Sequence, residues 1–239
     1  MKLQILKNIN ANEITVVASL PDMGRVGGLV STFLSKSLNA EEVAKIVSSD
    51  KPWVAYADGV VKGASEVYRI FYDDRRRLLV FNGESQPQHP GELYRLCNTF
   101  LDYAQSVGTV RRLYGAGGYL REHFAGAPQV CGVVNRPELK SVLAKAGIAP
   151  VGGEITTITW FNGIVLSQAA ERKIDGIGLF GEISESSVPQ PLAAKSILAA
   201  LSRLENLNLD TRPLDREYES ILEEAQRKKE PSHYGPGIG

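Results

Sequence analysis

The chain has 239 residues, 43% of them hydrophobic and 23% charged, which suffices for one large α/β domain with an ample core. Lys+Arg and Asp+Glu are both 27, so no global field recruits nucleic acid or an anionic membrane, and a protein partner or a neutral small ligand fits better. Two cysteines, Cys97 and Cys131, each inside an apolar pattern, make neither a disulfide framework nor a zinc site and read as reduced core thiols.

The opening stretch MKLQILKNINANEI has no long apolar run and no small-residue cleavage site. No window approaches the ~18 consecutive apolar residues of a spanning helix. The expectation is a soluble, cytoplasmic protein. Ile14 to Leu20 is a short apolar run rich in β-branched residues, as in a strand buried on both faces. Pro21-Asp22-Met23-Gly24 turns the chain, and Val26, Leu29, Val30, Phe33, Leu34 and Leu38 then recur at helical spacing. Two short runs around Asp58-Gly59 predict a hairpin. Val67 to Tyr72 and Leu78 to Phe81 predict a second, its turn at Asp73 to Arg77 being the densest charge run and a solvated tip.

The loop GESQPQHPGE leads to the clearest helix, with Leu93, Leu96, Cys97, Phe100, Leu101, Ala104 and Val107 on one face and Gly108 as C-cap. VRRLYGAGG and PQVCGVV read as strands separated by a Gly-rich segment, and RPELKSVLAKAGI as a helix from Pro137 to Gly147. Trp160 to Lys173 is helical, weakened at its start by Asn162-Gly163. IDGIGLFGE predicts a last parallel strand and PLAAKSILAALSRL a helix. The architecture expected is a doubly wound, largely parallel α/β sheet with added antiparallel hairpins. A charged helix follows, with Leu214, Tyr218, Ile221, Leu222 and Ala225 on one stripe and Glu223-Arg227 and Glu224-Lys228 as i,i+4 pairs. Residues 1–212 are expected to form the α/β domain, 213–230 an amphipathic helix and 231–239 a flexible tail.

Strand ends carry Pro21-Asp22-Met23-Gly24, Asn82-Gly83-Glu84, Gly115-Ala116-Gly117-Gly118 and Gly181-Glu182. Ligands of open α/β sheets bind outside the carboxyl ends of strands. Arg25, Glu84 and Glu182 therefore form a candidate crevice site, as in a nucleoside phosphorylase or hydrolase. Against this, GRVGG is neither a dinucleotide fingerprint nor a P-loop. The three histidines, His89, His123 and His233, are scattered, and no Gly-x-Ser-x-Gly elbow exists. No cofactor, metal or catalytic set is assigned.

The segment VVASLPDMGRVGGLVSTFLSKSLNAEEVAKI, the strand-loop-helix LLVFNGESQPQHPGELYRLCNTFLDYAQSVG, the stretches AGIAPVGG and GIVLSQAAERKIDGIGLFGEIS, and the closing PLAAKSILAALSRLENLNLDTRPL resemble, in order, the proteasome assembly chaperone family. The resemblance covers roughly residues 14–224. It implies a nucleoside-phosphorylase-like fold without that enzyme's catalytic groups, ATP-independent chaperone activity of the archaeal type, self-association, and proteasome α subunits or a partner chaperone as clients. Family members that dock like an activator end in a hydrophobic-Tyr-any tripeptide, whereas this sequence ends Gly237-Ile238-Gly239 with Tyr234 five residues from the end. Gly24, Gly27 and Gly28 then read as serving close strand-to-helix packing. Met23 and Arg25, on a loop at the sheet's carboxyl end, are expected at a subunit or client interface, with Tyr218, Ile221 and Leu222 of the tail helix as a second contact.

Overall fold

Alternating side chains of β2 (Glu13–Ala18) divide the protein into two apolar layers. Ile14, Val16 and Ala18 enter one core, Val17 the other, as the period of two requires. The computed structural model describes residues 1–49, 54–121, 126–153 and 155–229. Around β2 stand β1 (Lys2–Ile5), α1 (Val26–Ser37), β3 (Glu41–Ser48), β4 (Val54–Ala57), β5 (Val60–Gly63), β6 (Glu66–Asp73), β7 (Leu78–Asn82) and α2 (Pro90–Val107). They are followed by β8 (Thr109–Leu120), β9 (Val130–Val134), α3 (Lys140–Lys145), β10 (Ala149–Pro150), α4 (Trp160–Glu171), β11 (Gly176–Ile183), α5 (Pro191–Glu205) and α6 (Arg212–Lys229).

Nine strands form one sheet in the order β1-β3-β6-β7-β2-β8-β11-β9-β10. Its centre, β7-β2-β8-β11, is parallel, while β1, β3 and β6 extend it antiparallel on one side and β9 pairs antiparallel with β11 on the other. Helices α2 and α4 cover one face, where Phe81 packs on Phe100 and Phe161 at ring separations of 4.4 and 5.0 Å. Helices α1, α3 and α5 cover the other, joined by Leu214 from the start of α6.

Several expectations change in detail. Gly115-Ala116-Gly117-Gly118, expected as the end of the strand VRRLYGAGG, is buried inside β8, which runs on to Leu120. Neighbouring backbone explains the glycines, because a Cβ on Gly115 would stand 2.9 Å from the Asn162 carbonyl, and one on Gly118 2.5 Å from the Met23 carbonyl. Gly181-Glu182 lies at the end of β11, as the predicted strand IDGIGLFGE has it, with Ile183 as the last residue. Gly108 caps α2 in extended backbone (φ 172°), and its missing Cβ leaves room for the Ala11 carbonyl, which would be 2.1 Å away. The Asp58-Gly59 hairpin forms with both turn residues at positive φ, but its strands β4 and β5 make a separate two-stranded ribbon outside the main sheet. Strands β1, β3 and β10 are additional to the predicted set. The expected flexible tail, residues 231–239, lies outside the described residues, as do His123 and His233.

The two i,i+4 expectations on α6 divide similarly: Arg227 meets Glu223 at 3.6 Å, and the side chain of Lys228 is outside the description. The charged tip at 73–77 is a solvated turn in which Asp73 accepts from the Arg75 and Arg76 amides and pairs with the Arg76 guanidinium at 2.7 Å. Cys97 is fully buried, its thiol pushed up to about 12 by burial, and Cys131 is half-buried, its thiol donating to the Phe180 carbonyl at 3.5 Å.

At the amino ends of β2 and β8, the Glu205 carboxylate at the end of α5 collects Tyr114 Oη at 2.6 Å, the Arg111 guanidinium and Thr15 Oγ1. Side chains tie this end of the sheet to its helix layer. At the carboxyl end the packing is backbone against backbone, through glycine. Gly27 is the tightest point, where a Cβ would stand 2.5 Å from the Leu20 carbonyl and 2.6 Å from that of Ala116. Gly27→Ala should therefore cost about 3 kcal/mol and lower Tm by roughly 6–12 °C. Gly63→Ala, in open space on the ribbon, should shift it by less than about 0.5 kcal/mol. Equal melting temperatures for the two variants would refute this packing account.

Candidate functional site

A cleft of about 860 Å³ opens at the carboxyl end of the central strands, at the place where open α/β sheets bind ligands. Its floor comes from the turn after β2 and the end of β8, and its walls from the Gln86-Pro87-Gln88 loop and the 151–160 segment leading into α4. The lining is dominated by apolar groups, among them Met23, Leu120, Ile155, Ile158, Trp160 and Phe180.

The floor is built by one carboxylate. After β2 the chain must reverse at Pro21-Asp22 and enter α1 through a 3₁₀ turn, Met23–Arg25, with Gly24 and Arg25 both left-handed at φ 62° and 54°. Asp22 Oδ1 accepts the Gly27 amide at 2.8 Å and Oδ2 accepts the Gly118 amide at 2.7 Å. One side chain thus satisfies a free N–H of the first turn of α1 and pins the loop to β8. Asn162, buried at the start of α4, locks the same loop: Leu20 donates to its Oδ1 at 3.0 Å and its Nδ2 donates back to the Leu20 carbonyl at 3.1 Å. Gly24 completes the frame, donating to the Ser186 carbonyl and accepting from Gln190, both at 2.8 Å.

This geometry answers what the glycines do. The amide that would greet a phosphate at the N-terminus of α1 is taken by the protein's own Asp22. A Cβ on Gly117 would stand 2.6 Å from that carboxylate, and one on Gly28 2.7 Å from the Pro21 ring. Gly27 and Gly28 serve close packing. Burial raises the Asp22 carboxyl to about 6, with the amide hydrogen bonds opposing the shift.

Of the candidate crevice residues, none lines the cleft. Arg25 and Glu84 are exposed to the side of it. Glu182 is buried inside β11, where its carboxylate accepts the Gln129 amide at 3.1 Å and pairs with Arg121 at 2.6 Å. Glu182, at the end of its strand as expected, is engaged by Gln129 and Arg121 and does not face the cleft lining. Met23 lies on the rim with 46% of its surface exposed. On α6, Tyr218 and Ile221 are half-buried and Leu222 is exposed.

Three site residues escaped the sequence reading: Asp22, Asn162 and Trp160. Asn162-Gly163 had signalled a weak helix start, and that disruption marks the clamp. Trp160 takes φ 60°, uncommon for a bulky residue, and is held there as Gln86 Oε1 accepts the next amide, that of Phe161, at 3.0 Å. The indole is left on the cleft wall.

The sequence profile of the PAC2 family matches residues 16–229. The chain belongs to the PAC2 family. This is the proteasome assembly chaperone family that its ordered motifs resemble. Among solved structures, Pyrococcus furiosus PbaB, described as an archaeal proteasome activator, shares 24% identity over 96% of this chain and 98% of its own, at a TM-score of 0.81. PbaA of the same organism, described as an archaeal homolog of proteasome-assembly chaperone, shares 20% over 95% and 96% at 0.76. A Mycobacterium tuberculosis proteasome-assembly chaperone homologue shares 16% over 92% and 97% at 0.69. At these identities the likeness establishes a shared fold: a mixed α/β sheet, helices on both faces and a C-terminal helix. No curated protein matches the sequence. Among the described residues no helix is long and apolar enough to cross a membrane.

The Asp22 carboxyl gives a pH signature. Its folded pKa, about 6, lies above the ordinary 3.8, so its contribution to stability is fully present below about pH 4 and is lost as pH rises through about 6. Asp22→Asn removes this term. Between pH 4 and 7 the variant should gain up to about 3 kcal/mol relative to the wild type, at about 1.4 kcal/mol per pKa unit. Parallel stability curves across that range would show that Asp22 titrates normally.

Proposed function

We propose that this PAC2-family protein is a non-enzymatic, ATP-independent assembly chaperone that self-associates and uses the rim of the cleft to hold an apolar segment of a proteasome subunit or a related assembly factor. The observation carrying the proposal is the chemistry of the cleft. Its one acidic residue among the described lining, Asp22, is committed to the Gly27 and Gly118 amides, and the rest of the wall is mainly apolar. That leaves no uncommitted carboxylate among the described lining, and the exposed Met23 and Trp160 side chains suit a protein contact. Neutral net charge agrees, since binding then rests on apolar burial and not on a charged track.

The names of the structural relatives point the same way, PbaB as a proteasome activator and PbaA as a homolog of an assembly chaperone. Met23 and Arg25 form the near edge of the proposed contact. Tyr218, Ile221 and Leu222 form a second one, on a helix of 18 residues in which, among the described side chains, Leu214 alone is fully buried. A soluble, cytoplasmic protein working beside the proteasome follows from the same reading.

Immobilised cognate proteasome α subunits should retain the wild-type protein at micromolar concentration, with or without ATP. Leu120→Lys combined with Trp160→Lys should weaken retention at least thirtyfold, as expected when about 2 kcal/mol of apolar anchoring is removed. Both side chains are exposed, so the fold should survive the exchange. Failure of the wild type to bind at micromolar concentration overturns the proteasome reading.

A further inference from the structure

Residues 155–159 read Ile-Thr-Thr-Ile-Thr, five β-branched residues in succession. Ile155, Thr157, Ile158 and Thr159 line the cleft. Side chains of this kind favour extended backbone and strand pairing. Thr159 is extended, at φ −104° and ψ 165°, yet no residue of the run belongs to a sheet. The chain leaves the sheet just after β10, where the Val151 amide still bonds the Gly132 carbonyl at 3.0 Å. The run ends at Trp160, whose left-handed φ of 60° turns the backbone into α4.

The Ile155 amide closes a turn onto the Gly152 carbonyl at 3.1 Å. Beyond it, the amides of 156–159 and the carbonyls of 155–157 make no hydrogen bond among the described residues. Thr156, Thr157 and Thr159 are exposed, so this row of donors and acceptors is open to a partner. Sheet edges are commonly guarded against a further strand by lysine, proline or a bulge. The outer strand β10 carries Pro150, whereas 155–159 contains neither proline nor lysine. The run is supported from behind. A Cβ on Gly163 of α4 would stand 2.6 Å from the Ile158 carbonyl and 2.7 Å from its Cγ2. An edge already seated on a helix has less freedom to lose on binding.

We infer that the cleft takes its client by strand addition: an internal, extended and uncharged stretch of the partner pairs with residues 155–159. The inference rests on the reading of the cleft as a protein contact and names what that contact accepts. In this mode main-chain groups supply the pairing and alternate side chains the selectivity. The edge is ~17 Å long at ~3.3 Å per residue, and an added strand lies ~4.8 Å from it. Every second side chain of that strand can then enter the apolar lining of Met23, Trp160 and Phe180. Charge decides the rest. The one charged residue among the described lining, Asp22, is spent on the Gly27 and Gly118 amides. No Lys, Arg or His is part of that lining, so a terminal carboxylate finds no counter-ion there. A Lys or Glu directed inward would lose its hydration without a partner. The occupant is therefore an internal stretch in which β-branched or aromatic residues alternate, not a charged chain end.

Hydrogen exchange of the full chain tests this, with a synthetic heptapeptide, capped at both ends, in which Val or Tyr alternates with Thr. Without peptide the amides of 156–159 should exchange at unprotected rates, and saturating peptide should slow them at least about tenfold. Fluorescence anisotropy reads the affinity. N-methylating alternate peptide amides should weaken binding at least about tenfold in one parity and hardly in the other, because only alternate groups face the edge. Glu or Lys in place of the inward Val and Tyr residues should weaken it as much. Either Thr156→Pro or Thr157→Pro, whose amides make no internal bond, should weaken binding about fivefold with an unchanged far-UV spectrum. No binding of the uncharged peptide, a bound complex whose 156–159 amides stay unprotected, equal losses in both N-methyl parities, or charged peptides that bind as well overturns the inference. Retention on proteasome α subunits is read separately. Retention without protection at 156–159 ends this inference and spares the client reading, and protection by the peptide without retention does the reverse.

Discussion

The Asp22 carboxylate, shared between the Gly27 and Gly118 amides, is the contact on which the carboxyl end of the sheet depends. It lets the chain leave β2, reverse, and enter α1 within a few residues while its backbone lies directly on β8. Nothing larger than hydrogen fits at Gly27, Gly117 and Gly118 once the carboxylate and the neighbouring carbonyls are in place. Asn162 then fastens α4 to the same loop from the opposite face. Both helical layers are registered on a single turn, and the position of the cleft is a consequence.

A division of labour between the two ends of the sheet follows. At the amino end, long charged side chains bridge layers, with Glu205 collecting donors from β2 and β8. At the carboxyl end, short polar groups are consumed internally: Ser31 Oγ bonds the Ser19 carbonyl at 3.1 Å, and Ser19 Oγ accepts the Ala116 amide at 2.7 Å. What remains to face outward there is mainly apolar. At the fold position used for chemistry in many α/β proteins, the one carboxylate of the described lining is holding the backbone together.

How much of this was legible varies with the range of the interactions. The central strands, the long helices and the Asp58-Gly59 turn were readable because periodicity and turn residues act within a few positions. Helix α2 is the clearest case, its apolar stripe from Leu93 to Val107 matching the buried face. The glycine run of β8 was legible as strand but read as its end, since glycine weakens a strand by local measures and only the close approach of Asn162, Asp22 and Met23 explains it. Arg25, Glu84 and Glu182 stand near strand ends as the sequence suggests, but none of them is part of the described cleft lining, and Glu182 is held by Arg121. Asp22 was visible only as a turn residue.

The sequence by itself determined the family, the alternation of strands and helices, and an even balance of charge. Those features are written in local spacing and in motifs that survive as strings of residues. The tertiary structure alone decided which glycines are packing sites, which carboxylate is spent on backbone amides, and which apolar residues are left outside. A residue's fate in these respects depends on atoms roughly a hundred positions away, such as Gly118 for Asp22 and Asn162 for Leu20. No pattern confined to neighbours along the chain records that meeting. The exposed ribbon is the converse case, since its sequence specifies a hairpin and only the fold reveals that nothing among the described residues covers it.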